Sequence, residues 1–509
     1  MLLKKFTLDL TVFVCGALVM IYEIIGSRLL SPYLGASTYV WTSLIGVILG
    51  ALSLGYYLGG KFADRRPDVK NLAFVVFLAG GAVSVTILLK DLILSFVAES
   101  PLVLEIKTLL AALLLFAPAA VLLGFVAPYA VKLKITSLAD SGKTVGRLYA
   151  LSTVGSILGT FLAGFVLIPF VGSERTLYFI AAALIGLSIL LAGFRAAPVN
   201  LSILIVFIFG IGANELKNNY LARTNDFHDI DTEYSRVQIF KTTDAKTDRP
   251  IRALVTDPFF IQSGMFLDGG DSDNSVFPYA RYYHLIRHFK PDFQRSLLVG
   301  GAGCSFAKEY LHRYEKAEMD VVEIDPQMTE IAKKFFNLPE NPRLKIIHED
   351  GRVYLNRVEA RKYDAVFMDA FGSLLSVPFQ LTTVEAVKKI DRALTDDGVV
   401  IFNLGGAIKG DASRFLQAEL KTYAEVFPRV YLFKVNADYT DEQLQNLIIV
   451  ALKEKNASQT ESDDAPIAEL LAHLYKKNLT LGEEILTDDL APVEYYNSFA
   501  QSVYKRANK

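Results

Sequence analysis

The stretch Leu297–Tyr310, LLVGGAGCSFAKEY, joins an apolar run of strand character to a helical pattern through a cluster of glycines. Such a turn is typical of doubly wound α/β folds, where the missing side chains let a nucleotide approach the backbone. The dinucleotide fingerprint needs a third glycine three residues after the second, and Phe306 occupies that place. The pattern therefore disfavours a nicotinamide cofactor, while Gly301 and Gly303 leave space for another nucleoside.

The chain around this turn alternates apolar runs with helical patterns, the order expected of a parallel sheet with crossover helices. Seven runs predict strands, at residues 296–301, 319–324, 344–348, 363–369, 398–404, 429–435 and 446–452. No clear helix separates the last two, which favours the methyltransferase variant of the Rossmann-like fold. We expect this domain over residues 291–509, preceded over residues 217–290 by a small β-sheet subdomain.

The first 216 residues are mostly apolar, and hydrophobic residues make up 52% of the chain, more than is usual for a soluble protein. Apolar runs of about 20 residues can cross a bilayer as helices. About seven are predicted, at residues 8–29, 38–60, 72–97, 107–131, 147–170, 175–194 and 198–214. The sequence therefore predicts an all-α transmembrane bundle of the cell (inner) membrane, with the lipid bilayer as a partner.

Basic residues indicate the orientation of this bundle. Lys and Arg are frequent around residues 4–5, 61–70 and 132–147, and these segments are expected in the cytoplasm. Seven crossings would then place the chain after Lys217 outside, so either the short run 199–213 does not cross or the domain lies outside. We expect a cytoplasmic domain, because a nucleotide-using protein draws on the cytosolic pool.

Small and ionisable residues within the predicted spans suggest how the helices pack. Glycines four residues apart place bare backbone on one helix face and predict close helix packing. These pairs are Gly46 and Gly50, Gly55 and Gly59, and Gly155 and Gly159. Glu23 in the first span is expected to make a buried structural hydrogen bond, and a transport or substrate role is the alternative.

Overall charge and cysteine content exclude several classes of function. The formal net charge of -2 offers no basic field, so nucleic acid is not an expected partner. Cys15 and Cys304 are far apart and show neither a disulfide framework nor metal-ligand spacing. We therefore predict no metal site and no prosthetic group.

Three carboxylates stand where successive predicted strands end. Glu323 could accept hydrogen bonds from both ribose hydroxyls, and Asp350 from an adenine amino group, with Gly351 leaving room for the ring. Asp369 ends the fourth strand and should face the same crevice. This series fits an uncharged adenosine that carries a cationic sulfonium, whereas the alternative is that each acid only caps a following helix.

Residues 233–404 resemble the spermidine synthase (polyamine aminopropyltransferase) family, in its membrane-integral branch. The stretches YEIIGSRLLSPYLG (22–35) and GYYLGGKFADR (55–65) resemble the first two spans of that branch, and LTDDLAPVEYY (486–496) its C-terminal signature. The resemblance implies an enzyme that transfers an aminopropyl group from decarboxylated S-adenosylmethionine, as co-substrate, to a small amine. It also implies a homodimer.

The resemblance assigns roles to individual residues. Asp369 matches the family's general base, and Tyr279 and Gln262 match residues that contact and position the ligand. Glu323 and Asp350 match the ribose and adenine carboxylates.

Five positions depart from the family pattern, and at one of them Ser235, after a matching Tyr234, stands in place of a glutamine. Gly303 and Gly372 stand where the family has aspartates that hold the aminopropyl end and the acceptor amine, and Ala280 and Arg281 replace a histidine and a glutamate. An unpaired ammonium in a dry pocket is strongly disfavoured. Two alternatives therefore stay open: a methyltransferase that uses S-adenosylmethionine, and a non-catalytic sensor or transporter that binds an adenosine ligand.

Overall fold

The computed structural model describes residues 2–507, apart from residues 136, 138–140, 193–196, 245, 257–260, 270–274, 371–376 and 455–459. The chain divides into two compact units, Met1–Val237 and Gln238–Lys509. The first unit holds the predicted bundle and the second the predicted α/β domain. The finer domain bounds after residues 216 and 290 remain predictions.

The first unit is built mainly of helices. They are α1 (Leu2–Leu34), α2 (Thr38–Arg65), α3 (Val69–Glu99), α4 (Leu104–Leu115), α5 (Ala117–Gly124), α6 (Val126–Lys134), α7 (Ser141–Leu162), α8 (Ser173–Ala192) and α9 (Ala197–Asn225), with a π-helical segment at Ala163–Val171. Glu23 lies partly buried in α1.

Six helical stretches in the described part of the chain are long and apolar enough to cross a membrane. They are Phe6–Leu34, Thr38–Arg65, Val69–Glu99, Ala117–Lys134, Ser141–Val171 and Ser173–Ala192, and they correspond to the first six predicted spans. The seventh predicted span lies within α9, several of whose side chains fall outside the described residues. Its crossing stays a prediction.

The fourth predicted span is discontinuous, because the helix breaks between α4 and α5. Pro118 has no backbone N–H and cannot donate the hydrogen bond that would continue the helix. The hydroxyls of Tyr22 and Thr86 donate to the Leu115 carbonyl at 2.9 and 2.8 Å. Side chains from neighbouring helices thus satisfy a backbone group at the break, as apolar surroundings require.

Two of the three predicted glycine pairs lie at close helix contacts. A Cβ on Gly155 or Gly159 would come within 2.4 Å of backbone oxygens of α1, so α7 packs directly on α1. A Cβ on Gly55 would lie 2.2 Å from the Val121 carbonyl oxygen of α5, and one on Gly59 would lie 2.6 Å from the Cα of Phe125, between α5 and α6. The prediction is wrong for Gly46 and Gly50, whose Cβ positions meet nothing within 4 Å because that face of α2 is exposed.

A small sheet precedes the α/β domain, as predicted. Its strands follow the order β1 (His228–Asp231), β2 (Arg236–Thr243), β3 (Pro250–Val255) and β4 (Ser263–Phe266), and β2–β3 and β3–β4 are antiparallel. The strand β1 was not predicted, because its polar sequence HDID lacks an apolar alternation.

The second sheet confirms all seven predicted strands. They are β5 (Arg295–Val299), β6 (Glu318–Glu323), β7 (Leu344–His348), β8 (Tyr363–Met368), β9 (Leu394–Gly406), β10 (Arg429–Lys434) and β11 (Gln445–Leu452), in the order β10-β11-β9-β8-β5-β6-β7. Only the pairs that involve β11 are antiparallel. The fold is therefore the methyltransferase variant expected from the two consecutive terminal strands.

Helices and apolar side chains cover both faces of this sheet. Alternate residues of β5 enter opposite cores, since Leu297 and Val299 pack in one cluster and Leu298 in the other. The helices are α10 (Ile286–Phe289), α11 (Ser305–Arg313), α12 (Pro326–Phe335), α13 (Gly351–Arg357), α14 (Val384–Ala393), α15 (Arg414–Ala424), α16 (Ala465–Ala472) and α17 (Val493–Ala507).

Candidate active site

The parallel strands β5 to β8 bring the three predicted carboxylates to one edge of the sheet. In the β5–β8 and β5–β6 pairs, Val299 is opposite Met368 and Val322. The chain then leaves each strand at the same edge, and the Asp369 amide donates to the Val299 carbonyl at 2.9 Å. Because the strand order reverses at β5, this edge is where ligands bind in such folds.

The glycine turn after β5 approaches its neighbours closely. Gly300 has φ +93°, and a Cβ there would lie 2.8 Å from the Asp369 backbone, so only glycine fits. The amides of Gly301 and Ala302 donate to Glu323 at 2.9 and 3.0 Å. The turn is therefore fixed between the two carboxylates that flank it.

Glu323 lies at the end of β6 and is 8% exposed. Its second oxygen accepts from the Asp325 amide at 3.0 Å. Burial raises the pKa of Glu323, while the three backbone donors lower it in part. A carboxylate has about four acceptor positions, so it can also accept from hydroxyls of a ligand.

Asp350 serves as a helix cap and keeps one oxygen for other contacts. Its Oδ1 accepts from the amides of Arg352 and Val353 at the start of α13, while Oδ2 meets the Gln380 amide nitrogen at 3.4 Å. At Gly351 a Cβ would lie 2.9 Å from a Val299 methyl group. Packing of the chain thus requires glycine there, whatever ligand approaches.

Asp369 is held by neutral donors from two parts of the domain. Asn403 in β9 donates to Oδ1 at 3.1 Å, and the Tyr279 hydroxyl approaches Oδ2 at 3.4 Å. Burial raises the pKa of Asp369 to about 6, and the hydrogen bonds to its carboxylate from Asn403 and Tyr279 limit that rise. The group is mostly ionised at neutral pH and can accept a proton.

Tyr279 is positioned by other aromatic rings. Its ring stacks on Phe277 with centroids 5.6 Å apart and meets Tyr283 edge to face at 5.9 Å. Burial and the negative charge of Asp369 raise the pKa of the Tyr279 hydroxyl well above its usual range, so it stays protonated and can donate.

Two asparagines in this site were missed by sequence reasoning. Asn403 is 3% exposed, and its carbonyl oxygen accepts from the Asn446 amide of β11 at 2.9 Å. The signal was a polar residue in each of two apolar strand runs, IFNL and QNLIIV. Predicting that the two asparagines meet required knowing that β11 lies beside β9, and a single sequence does not show this.

Ser263 fills the space beside Gly303. Its hydroxyl accepts from the Gly303 amide at 2.8 Å, and a Cβ on Gly303 would lie 2.8 Å from the Ser263 Cβ. Any side chain at Gly303 therefore requires Ser263 to move. The neighbouring Gln262 uses its side-chain oxygen to accept from the Thr256 amide at 2.8 Å, which ties it to the end of β3.

The other departures from the family pattern lie away from the carboxylates or outside the described residues. Ala280 is buried, and the Arg281 guanidinium is exposed and pairs with Glu469 at 3.1 Å. Gly372 lies in the segment 371–376, outside the described residues.

The C-terminal signature contacts the start of α13 beside Asp350. Asp488 accepts from Arg352 at 2.9 and 2.6 Å in a two-pronged pair, and also from the Thr383 hydroxyl at 2.7 Å. Arg352 also donates to the Gln380 carbonyl at 2.9 Å. This clamp fixes the start of α13 beside Asp350.

Metal-ligating residues do not cluster in the part of the chain that the structure describes. No group there combines three or more His, Cys, Asp or Glu side chains that could hold an ion. Cys304 is buried, and burial raises the pKa of its thiol to about 12, so the thiolate is not available as a nucleophile at neutral pH.

Comparisons with known proteins find relatives of two kinds. Residues 279–463, which include Tyr279 and all three carboxylates, match the family described as the spermine/spermidine synthase domain. A polyamine aminopropyltransferase from Vibrio vulnificus is 25% identical over 261 residues, 51% of this chain and 84% of that protein. A polyamine aminopropyltransferase 1 from Streptomyces coelicolor is 24% identical over 429 residues, 79% of this chain and 76% of that protein.

A second group of relatives has another activity. An N-terminal histidine N-methyltransferase from Emericella nidulans is 31% identical over 157 residues, 29% of this chain and 26% of that protein. The aminopropyltransferase matches cover much more of both chains. Residues 279–463 thus match a spermine/spermidine synthase domain, and the similarity to polyamine aminopropyltransferases indicates a transferase.

Proposed function

We propose that this chain transfers an aminopropyl group from decarboxylated S-adenosylmethionine to a small amine. The observation that carries the proposal is the placement of Asp369. It lies against the Gly300 turn, holds a pKa of about 6, and is oriented by Asn403 and Tyr279 on the edge that also presents Glu323.

Asp369 suits the proton transfer that this reaction needs. An acceptor ammonium has no free lone pair, so it must lose a proton before it can attack. Asp369 accepts that proton, the amine nitrogen forms a bond to the carbon beside the sulfonium, and the carbon–sulfur bond breaks. The electron pair stays on sulfur, which becomes a neutral thioether. Because positive charge on sulfur disappears, orientation of the two reactants contributes more than stabilisation of an oxyanion.

The remaining predicted residues would bind the nucleoside. Glu323 would accept from the ribose hydroxyls and Asp350 from the adenine amino group, beside Gly351. The backbone of Gly301 and Gly303 would lie under the donor.

Tyr279 and Gln262 would position the aminopropyl chain. The hydroxyl of Tyr279 already contacts Asp369, whereas Gln262 would have to reach the ligand while its oxygen holds the Thr256 amide.

We also propose that the protein is anchored in the cell membrane by its first unit. Six apolar helices support this. The Streptomyces match supports it too, since 79% of this chain is more than the second unit contains and must include part of the helical bundle. The resemblance to the spermidine synthase family, which is commonly dimeric, further suggests a homodimer.

Methyl transfer from S-adenosylmethionine is the second candidate. Gly303 with Ser263 behind it removes the carboxylate most specific for the decarboxylated donor. The ribose and adenine contacts would serve both donors equally well.

The two functions are separated by donor and product. The full chain in detergent is incubated with an amine such as putrescine and each donor in turn. Aminopropyl transfer predicts a raised melting temperature and release of methylthioadenosine with the decarboxylated donor. Release of S-adenosylhomocysteine from the ordinary donor, with no methylthioadenosine from the other, would replace this proposal by the methyltransferase.

A further inference from the structure

The two ends of α1 carry separate groups of polar contacts within the first unit. Near its start, Asp9 pairs with Lys134 and, at 2.8 Å, with Arg147. Near its other end, the Arg28 guanidinium donates to the Glu233 carbonyl. Nineteen residues of helix separate Asp9 from Arg28, which at about 1.5 Å per residue makes about 28 Å. This length is close to the thickness of a hydrocarbon core, so the two groups lie at opposite membrane faces.

Further ion pairs place the end of the first unit at the Arg28 face. The Ser173 amide at the start of α8 donates to Asp231 at 2.7 Å. Glu174 pairs with Arg236 at 3.0 Å and with Lys90 of α3 at 2.7 Å. Arg236 is only 6% exposed, so this attachment is buried. The residues that follow α9 are thus fixed where α3 ends and α8 begins.

The helix α9 leads the chain to that face. Gly210 lies beside Ser84 of α3, with its Cβ position 3.5 Å from the Ser84 carbonyl oxygen. Seven residues later in each helix, Lys217 pairs with Asp91 at 2.5 Å. Equal steps in the same direction mean that α9 runs parallel to α3, from the Asp9 face to the Arg28 face.

The charges of the connections differ between the two faces. At the Asp9 face, the connections and helix ends carry Lys4, Lys5, Lys61, Arg65, Arg66, Lys70, Lys132, Lys134, Lys143 and Arg147. At the Arg28 face, the connections at residues 35–37, 100–103 and 172 contain neither Lys nor Arg, and the helix ends carry only half as many basic residues, namely Arg28, Lys90, Lys107, Arg175 and Lys217. The positive-inside rule makes the Asp9 face cytoplasmic.

From these observations we infer that the chain leaves the bundle outside the cytoplasm, and that the synthase domain lies there. The second unit begins at Gln238, within the strand β2 that also contains Arg236. Helix α9 then completes a seventh crossing. The domain therefore lies outside, which is the second of the two placements that the sequence left open, and not in the cytoplasm as the sequence led us to expect.

The placement has a consequence for the substrates, which rests on the proposed function. A sulfonium nucleoside and a protonated amine are both cations and cross hydrocarbon poorly. An export reaction that moves the donor out of the cytoplasm must therefore precede this transfer. The nucleoside thioether is then released on the outer side.

Cysteine labelling tests the placement without any need for activity. The native Cys15 and Cys304 are both buried, so the unmodified chain provides the background. Lys316→Cys reports on the second unit and Lys70→Cys on the basic face, and both lysines are exposed. Each variant is expressed in the full chain and treated, in intact and in permeabilised spheroplasts, with a membrane-impermeant maleimide.

We expect Lys316→Cys to react in intact spheroplasts and Lys70→Cys to react only after permeabilisation. Any other pattern in the intact preparation overturns the inference. Since labelling is independent of turnover, loss of the proposed function would leave this result unchanged. Methylthioadenosine formed from donor added outside intact spheroplasts would then support the export step.

Discussion

Asn403 donates a hydrogen bond of 3.1 Å to Asp369, and its own carbonyl oxygen accepts one of 2.9 Å from Asn446. The second bond fixes which end of the Asn403 amide faces the carboxylate. A donor stabilises the ionised form of an acid, so this pair opposes the rise in pKa that burial causes. Asn403 is thus a positioning residue for the proposed base.

Asn403→Leu should move the acid limb of the pH profile of kcat/KM to higher pH by roughly one unit, because a hydrogen bond to a charged group contributes about 1.5 kcal/mol or more. The pKa of Asp369 lies at about 6 in the unmodified chain, so activity falls as pH drops through that value. The variant should lose activity already near neutral pH, while donor affinity stays unchanged.

The matched variant Asn446→Leu removes only the contact that orients Asn403. A smaller movement in the same direction is expected. An unmoved acid limb in Asn403→Leu would show that Asn403 does not control the ionisation that limits turnover.

An aspartate at position 303, as in the family pattern, should not by itself improve binding of the decarboxylated donor. Gly303→Asp would push into Ser263, since the Cβ atoms would lie 2.8 Å apart, and we expect weaker binding of both donors. The double variant Gly303→Asp with Ser263→Gly provides space. Isothermal titration should then show a gain for the decarboxylated donor over the ordinary one.

Equal affinity of that double variant for the two donors would contradict this account of Gly303. Ser263→Gly alone is the control, and it should leave the preference between donors as it is.

The clamp between Arg352 and Asp488 should affect binding more than chemistry. Asp488→Asn breaks a two-pronged ion pair at the start of α13 and loosens Asp350. We expect KM for the donor to rise about tenfold, the effect of roughly 1.4 kcal/mol, with kcat nearly constant. Arg357→Lys, in an exposed pair with Glu349, is the control. A loss in kcat at constant KM would place the clamp in the catalytic step instead.

Glu419 should destabilise the protein as pH rises. It is fully buried in α15, and within the described residues neither carboxyl oxygen has a hydrogen-bond partner. Burial raises its pKa well above the usual range, so the folded state holds a proton that the unfolded state releases. Glu419 therefore leaves the free energy of unfolding undiminished below the pKa that it has in the unfolded chain. Above that pKa, the free energy of unfolding declines as pH rises.

Glu419→Gln keeps the shape of the protonated acid and should raise Tm by a few degrees at pH 8, but not at pH 4.5. Differential scanning fluorimetry across pH measures this, with exposed Glu425→Gln as the control. A pH-independent gain would mean that Glu419 acts through packing alone.

The sequence predicted the sheet well because apolar runs bounded by glycine and acidic residues mark buried parallel strands. The three carboxylates at or just after the ends of β6, β7 and β8 were predicted to share one edge by the same logic, since the ends of parallel strands meet there. Local pattern was enough for both.

Features that depend on tertiary neighbours were not predicted. Asn403 and Asn446 meet only because β11 inserts beside β9, and Ser263 reaches Gly303 from a strand forty residues away. At Gly46 the contact that was predicted is absent, because glycine spacing does not reveal whether a partner helix packs on that face. The long apolar helices could be predicted from composition, whereas the direction of α9 required its contacts with α3.

Turnover and donor binding by Asp369→Asn, measured on the same purified full-length chain, test the central claim most directly. The account predicts that methylthioadenosine release falls at least a hundredfold, as for loss of a general base, while affinity for decarboxylated S-adenosylmethionine stays within a few fold. Unchanged turnover in this variant would contradict the account.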